Sequence, residues 1–124
     1  MEKELLKYIL PEVLTTNFTI VKLEESFDTE KKRKALNIYL DEENNMPPGY
    51  NINDYESKGF TPYTTIQDFP IREKLVYLNI RRRRWREKEN KNHIIQNDYS
   101  NLTDGSRITK ELTDFLKDRG RYPG

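Results

Sequence analysis

The sequence predicts a small α+β protein, in which a meander of about four mainly antiparallel strands is flanked by an N-terminal and a C-terminal helix. Two patterns lead to this class. Apolar residues recur at helical spacing near both ends of the chain, and between them they alternate with polar residues at a period of two. The 124 residues fit one domain, predicted over residues 1–118, with a flexible tail at 119–124.

The two helices are predicted at residues 2–10 and 106–119. In the first helix, one face carries Leu5, Leu6, Ile9 and Leu10. Pro11 either breaks this helix or begins a second turn. The face of the second helix consists of Ile108, Leu112, Phe115 and Leu116. Ser106 or Thr109 would cap its start, and Gly120 would end it.

Two strands are predicted in the first half of the chain, at residues 18–25 and 34–41. The second strand alternates apolar and polar side chains with a period of two. A long hairpin loop, residues 26–33, would join them. The basic run at the end of this loop, Lys31 to Lys34, is either a DNA contact or a solvated hairpin tip, and the solvated tip is favoured. Residues 41–62 have the composition of a loop.

Two further strands are predicted at residues 63–69 and 74–86. Pro70 would end the first of them because proline has no backbone N–H to donate. The second is the longest candidate and is expected at the centre of the sheet or as a projecting ribbon. One of its faces carries Val76, Leu78 and Ile80. Tyr77 and Phe69 are expected in the core.

Composition excludes several classes of protein. The chain has no cysteine, which excludes disulfides and cysteine-based zinc sites. No segment resembles a signal peptide or a membrane span, so we expect a cytoplasmic protein without a membrane partner. The single histidine, His93, has no partner pattern, and no phosphate-binding loop or nucleophile motif is present. We therefore expect no catalytic residue, no cofactor, no metal and no small-molecule substrate.

Charge is distributed unevenly along the chain. Residues 1–70 carry 8 basic and 13 acidic side chains, and residues 71–124 carry 14 and 8, so the net charges are −5 and +6. Such asymmetry indicates that the basic half faces a partner. Uneven charge also arises by chance, and that interpretation stays open.

The strongest chemical signal is the run Arg81-Arg82-Arg83-Arg84-Trp85-Arg86, which directly follows an apolar strand. Burial of an unpaired guanidinium is too costly, so the run is expected to project past the core or to meet anions. A ribbon with arginines fits a DNA groove or its phosphates. The predicted nucleic-acid contacts are Arg81, Arg82, Arg83, Arg84 and Arg86, with Arg72, Lys74 and Lys88 as secondary contacts and Trp85 as a stacking or packing residue.

Two other interpretations of the run remain. The arginines would pair with the surplus acids of residues 24–43, or the run would act as a nuclear import signal in a eukaryotic chain.

If Arg82 and Arg84 contact DNA, their replacement by alanine should weaken DNA binding and leave the thermal midpoint nearly unchanged.

Most of the chain resembles the N-terminal region of a group of bacterial insertion-sequence transposases of the DDE type, in which this region has its own reading frame. The resemblance is carried by residues 57–85, centred on Ile66-Gln-Asp-Phe-Pro-Ile-Arg72 and the arginine run, and by residues 5–12 and 105–116. It implies a DNA-binding module that recognises the terminal inverted repeats of its element, while the catalytic carboxylates lie on a separate product.

This sequence departs from the family in two respects. Residues 106–119 supply one helix and not the complete helix-turn-helix of the family, and a zinc motif is missing. Where the family has a Cys-x-x-Cys zinc knuckle after the arginine strand, this chain has Trp85-Arg-Glu-Lys88, so zinc is not implied. Double-stranded DNA is the expected partner. The alternative is a protein-interaction module that docks onto a separate transposase catalytic chain through its basic strand. A third interpretation is a decayed fragment that has lost its role.

Overall fold

The computed structural model describes residues 6, 8–99 and 109–117. Within these residues the chain forms two α-helices, one 3₁₀ turn and seven strands. The helices are α1 (Glu12–Asn17) and α2 (Lys110–Lys117), and the 3₁₀ turn is Ile52–Asp54. The strands are β1 (Phe18–Asp28), β2 (Arg33–Glu42), β3 (Tyr55–Phe60), β4 (Thr64–Ile71), β5 (Lys74–Arg81), β6 (Arg83–Glu87) and β7 (Ile94–Ile95).

The strands form two sheets, and the larger one has the order β1-β2-β5-β4. Its β1–β2 and β4–β5 pairs are antiparallel, whereas β2 and β5 are parallel. The α+β class and the mostly antiparallel pairing agree with the sequence prediction. The parallel pair and the second sheet, β3-β6-β7, were not predicted. A parallel pair needs a long crossover, and residues 43–73 supply it.

The core lies on one face of the larger sheet, under the two helices. Alternate residues of β2 and β5 point to this face because side chains alternate along a strand. Leu14 of α1 is fully buried there, and α2 contributes three more buried side chains. The cluster joins these helix residues to Leu36, Ile38, Leu40, Ile66, Val76, Leu78 and Ile80.

The described helix ends match part of the prediction. The backbone N–H groups of Ile9 and Leu10 donate to the Leu6 carbonyl, and Pro11 precedes α1 as its cap residue, so the chain begins a second turn after Pro11. Thr109 caps α2, because its Oγ1 accepts from the Leu112 N–H at 3.2 Å. Most of the predicted first helix, together with Ser106, Ile108, Gly120 and the tail 119–124, lies outside the described residues.

Three sequence predictions about the strands are wrong. β1 and β2 extend further than expected, so only residues 29–32 separate them. The loop-rich segment 41–62 contains strand β3. Pro70 lies inside β4 and does not end it. It is tolerated because β4 is an edge strand with a register shift between Asp68 and Ile71.

The core assignments of Phe69 and Tyr77 are also wrong. Phe69 is 53% exposed, since it follows Asp68 at the irregular end of the edge strand. Tyr77 is half-buried and its hydroxyl donates to Asp28 Oδ2 at 2.8 Å. It lies on the sheet face opposite the helices, because it alternates with the core residues Val76 and Leu78.

The turn between β4 and β5 consists of two residues, Arg72 and Glu73, whose neighbours Ile71 and Lys74 pair directly. Both have positive φ, 48° and 68°, as a type I′ hairpin turn requires. Neither Arg72 nor Glu73 is one of the residue types, glycine and asparagine, that this conformation favours. The Arg33 guanidinium donates to the Glu73 carbonyl at 2.5 and 3.1 Å, so a neighbouring strand holds the turn in place.

Replacement of Glu73 by glycine should stabilise the protein by about 1 kcal/mol, because glycine adopts positive φ without the steric penalty. The change keeps the carbonyl that accepts from Arg33. Chemical denaturation of the parent and of Glu73→Gly measures the difference. Lys88→Gly, in an exposed position outside this turn, is the control and should not stabilise the fold. An unchanged or lowered stability of Glu73→Gly would mean that the turn is not strained.

Candidate nucleic-acid interface

The arginine run does not continue one strand. β5 ends at Arg81 and β6 begins at Arg83, and these strands belong to different sheets. At Arg82 the backbone pairs with Thr61: the Arg82 N–H donates to Thr61 Oγ1 at 3.0 Å, and the Thr61 N–H donates to the Arg82 carbonyl at 2.7 Å. The chain therefore passes from one sheet to the other at Arg82.

Arg82 is fully buried, with 0% exposure. Its guanidinium donates to the Asn97 carbonyl and lies 5.3 Å from the ring centroid of Tyr99. The prediction that Arg82 projects to DNA is therefore wrong. The physical argument against an unpaired buried guanidinium still holds, because this guanidinium is paired inside the protein.

A buried carboxylate, Glu42, is 1% exposed and shares the partners Asn97 and Tyr99 with this guanidinium. It accepts from the Arg83 backbone N–H at 2.8 Å, from Asn97 Nδ2 at 3.2 Å and from the Tyr99 hydroxyl. Burial, and then the adjacent Glu42 charge, raise the pKa of Tyr99 well above its usual value, so Tyr99 remains a neutral donor. Three donors offset the cost of removing this carboxylate from water.

Sequence reasoning assigned Glu42 to a loop and missed its role. A signal was available, because Glu42 continues the period of two through Leu36, Ile38 and Leu40, all of which are buried. A carboxylate in phase with core residues must find donors. The polar composition of residues 41–58 favoured an exposed loop, whereas the period of two along β2 favoured burial of Glu42 in the core.

Arg81 forms a bidentate pair with Asp41, with both N–O distances 2.8 Å. Its guanidinium also lies 4.1 Å from the Phe60 ring centroid and 4.7 Å from that of Tyr63. Although burial raises the pKa of Asp41, hydrogen bonds from Arg81 and Tyr63 lower it below the usual value. The charge of Arg81 is thus matched within the fold.

The other members of the run are also held within the fold. Arg83 donates to the Glu42 carbonyl at 2.8 Å, Arg84 to the Phe60 carbonyl at 3.1 Å, and Arg86 to Glu56 at 2.7 Å. Trp85 is buried, so it packs and is not presented to a partner. The interpretation that the arginines pair with the acids of residues 24–43 is confirmed for Arg81, whose partner is Asp41.

The structure brings two of the secondary residues, Arg72 and Lys74, next to the basic β1–β2 turn. Lys88 is exposed and directly follows β6 of the second sheet. We call the cluster of the two turns the basic end. It consists of Lys31, Lys32, Arg33, Lys34, Arg72 and Lys74.

The basic end is held together by bonds between the two turns. Arg33 donates to the Glu73 carbonyl, and Lys31 Nζ donates to Gln67 Oε1 at 3.0 Å. Both acceptors are neutral, so these bonds do not cancel either cationic charge. Lys32, Lys34 and Arg72 are exposed and have no side-chain hydrogen bond or ion pair with the described residues. Among the residues that the structure describes, five of the six cationic groups therefore have no carboxylate within ion-pair distance.

Lys74 is the sixth cation and pairs with Glu25 at 2.6 Å. The hydrogen bond from Lys74, and then its charge, lower the pKa of Glu25 below the usual value. Between the turns lies an open cleft of about 540 Å³ lined by Arg33, Lys34, Arg72, Glu73 and Lys74. Cations around a cleft attract anions, and phosphate oxygens suit arginine and lysine donors.

Comparisons with protein families, with characterised proteins and with solved structures give no match to this chain. The resemblance to transposases therefore stays a prediction. None of the helices in the described ranges has the length and apolar character that crossing a membrane requires.

The burial of Arg82 reverses the expected effect of its replacement. Arg82→Ala should destabilise the protein by about 3 kcal/mol, because it leaves a cavity in place of a fully buried side chain and removes the donor to the half-buried Asn97 carbonyl. Denaturant titration measures this loss. Lys88→Ala, which removes an exposed charge in the same segment, should leave stability within experimental error. If Arg82→Ala unfolds at the parent's midpoint, the buried contacts of Arg82 do not support the fold.

Proposed function

We propose that the protein is a non-catalytic DNA-binding module that contacts the phosphates of double-stranded DNA through its basic end. One observation carries the proposal: within the described part of the chain, five cationic groups at and beside two adjacent turns have no carboxylate within ion-pair distance. The arginine run, by contrast, satisfies its guanidinium groups inside the fold. A surface that binds phosphates needs charges that the protein itself has not neutralised.

The geometry of the basic end supports this role. Both turns lie at the same end of the larger sheet, because β2 and β5 are parallel and begin side by side at Ala35 and Leu75. The bonds of Arg33 and Lys31 hold the turns together, which reduces the entropy lost on binding. Side chains on hairpin turns can enter a groove or lie along the phosphates.

The sequence predictions define the wider proposal. By its resemblance to transposase N-terminal regions, the module would recognise the terminal repeats of an insertion sequence in the cytoplasm and would not catalyse strand transfer itself. Phosphate contacts fix position and orientation but carry no sequence information. Arg72, at the tip of its turn, is the best candidate for reading a base, since arginine donates to both guanine acceptors in the major groove.

A second candidate function, a docking module for a separate catalytic chain, is favoured by one observation. Ile52 is 73% exposed and Tyr50 is 43% exposed, beside the strand that carries Arg84 and Arg86. Residues 52–54 are linked to that strand because the Lys88 N–H donates to the Asp54 carbonyl at 2.9 Å. An exposed apolar patch suits a protein partner.

The first experiment is fluorescence anisotropy with a labelled duplex from the element's end and a scrambled duplex, across a salt series. Lys32→Ala/Arg72→Ala should weaken duplex binding and make the log–log salt slope shallower by about 2, because two phosphate contacts are lost. The matched control is Lys58→Ala/Lys88→Ala, which removes two charges from the second sheet and should bind as the parent does.

The outcomes separate the candidate functions. Tighter binding to the end sequence supports a module that reads sequence, and equal binding to both duplexes supports phosphate contact alone. If the parent binds neither duplex at low salt, the DNA proposal fails and the docking module becomes the better account. If both double variants lose affinity equally, the basic end is not the contact surface.

A further inference from the structure

The face of the larger sheet opposite the core carries a second set of chemically distinctive residues. Among the described residues, the hydrophobic cluster and both helices lie on the other face. On this face, Tyr39 of β2 and Tyr77 of β5 are both half-buried. We call the surface around these two rings the tyrosine face.

Strand register defines how the two tyrosines are arranged. Asn37 pairs with Tyr77, and Tyr39 pairs with Asn79, across the parallel strands. The tyrosines are therefore diagonal neighbours, with roughly 8 Å between their Cα atoms from ordinary sheet spacing. The exposed Gln67 lies beside Tyr77 on the neighbouring strand. Amides that donate and accept hydrogen bonds thus alternate with the aromatic rings.

Tyr77 is fixed to the basic end. Its hydroxyl donates to Asp28 Oδ2 at 2.8 Å, and the Lys31 backbone N–H donates to Oδ1 of the same carboxylate at 3.0 Å. The Lys31 ammonium lies 5.8 Å from the Tyr77 ring centroid. One tyrosine is therefore continuous with the cationic surface of the β1–β2 turn.

Tyr39 is held from the other side. The Tyr63 ring meets it edge to face, with centroids 5.5 Å apart and an 84° angle between planes. Tyr63 is in turn anchored by donation to Asp41 at 2.8 Å. The Lys22 ammonium lies 5.2 Å from the Tyr39 centroid and 3.3 Å from Glu24. Both Lys22 and Glu24 are exposed, so their ion pair is weak.

We propose that the tyrosine face is a stacking platform for the unpaired bases of single-stranded nucleic acid. Aromatic rings held on a rigid sheet offer π-faces on which bases of any sequence stack. The ammonium groups of the exposed Lys22 and Lys31 lie over the rings, and stacked bases would move them aside toward the phosphates of the same strand. Asn37 Nδ2 donates to Ser26 and Gln67 Oε1 accepts from Lys31, so base edges would meet the other amide atoms, Asn37 Oδ1 and Gln67 Nε2.

Charge and composition favour this occupant over a protein. The cationic side chains of the basic end continue from Lys31, so a single strand could follow them with its phosphates. The acids nearest the two rings among the described residues each have a partner: Glu24 pairs with Lys22, Asp28 accepts from Tyr77, and Asp41 pairs with Arg81. In the described part of the chain, the face alternates rings with amides and lysines, whereas a protein contact typically offers a contiguous apolar surface.

This inference concerns a different surface and ligand from the proposed duplex contact. Paired, stacked bases within a duplex cannot lie on the tyrosines, so binding of a single strand depends on Tyr39 and Tyr77. Duplex binding depends instead on Lys32 and Arg72. Each proposal can therefore fail without the other.

The experiment measures anisotropy of labelled oligothymidylate, which forms no duplex, with the full chain. Tyr39→Leu and Tyr77→Leu should each weaken binding about tenfold, because each removes one stacked ring. Tyr39→Phe and Tyr77→Phe keep the rings and should bind within about twofold of the parent. Duplex affinity should be unchanged in the two Tyr39 variants, because Tyr39 makes no contact with the basic end among the described residues.

A second measurement uses the parent protein, so it does not depend on whether a variant folds. Ultraviolet cross-linking to oligothymidylate that contains 5-iododeoxyuridine, followed by mass spectrometry, should identify peptides with Tyr39 or Tyr77. Circular dichroism and thermal melting show whether each variant keeps the parent fold.

Three results would overturn the proposal. The first is that the parent does not bind oligothymidylate at low salt. The second is that a folded Tyr39→Leu/Tyr77→Leu variant binds oligothymidylate as tightly as the parent does. The third is that the cross-links form only on other surfaces of the protein. A change in sedimentation of that double variant without a change in oligothymidylate affinity would assign the face to a second copy of the chain. If oligothymidylate binding behaves as expected and duplex binding is absent, this inference stands and the proposed duplex contact falls.

Discussion

The arrangement of the two sheets depends on the cluster of buried polar side chains around Arg82 and Glu42. At this point the chain leaves the larger sheet and enters the smaller one, and a strand that changes sheets exposes backbone groups that must find new partners. Thr61 supplies partners for the Arg82 backbone, and Glu42 accepts from the Arg83 N–H. Two residues that would be expensive to bury alone are buried together with their donors and acceptors.

This cluster also decides which charges are available to a partner. Arg81, Arg83 and Arg86 lie where the sheets join, next to Asp41, Glu42 and Glu56, and their hydrogen-bonding groups are used within the fold. The basic end lies at the opposite end of β5, far from those carboxylates along the strand. There, Arg33 and Lys31 bond to neutral oxygens and keep their charges. The most concentrated cations in the sequence are thus partly buried and bonded within the fold, whereas those of the basic end are more exposed.

The parallel pairing of β2 and β5 connects the two proposed surfaces. It places the starts of both strands at one end, where the turns form the basic end, and it makes Tyr39 and Tyr77 diagonal neighbours on one face. The bond from Tyr77 to Asp28, which also accepts from the Lys31 N–H, joins the tyrosine face to that end. An antiparallel meander would have separated these residues.

The sequence by itself determined what local periodicity can encode. The alternation in residues 34–41 and 74–81 identified both central strands and their buried faces, and the helical spacing of Leu112, Phe115 and Leu116 identified the C-terminal helix. Tertiary structure alone decided where the strand of residues 74–86 breaks, which arginines are buried, and that β2 and β5 run parallel. Periodicity reports only which face of an element is apolar. The partner of a charged side chain is set by residues far along the chain, as Asp41 is for Arg81 and Asn97 is for Arg82.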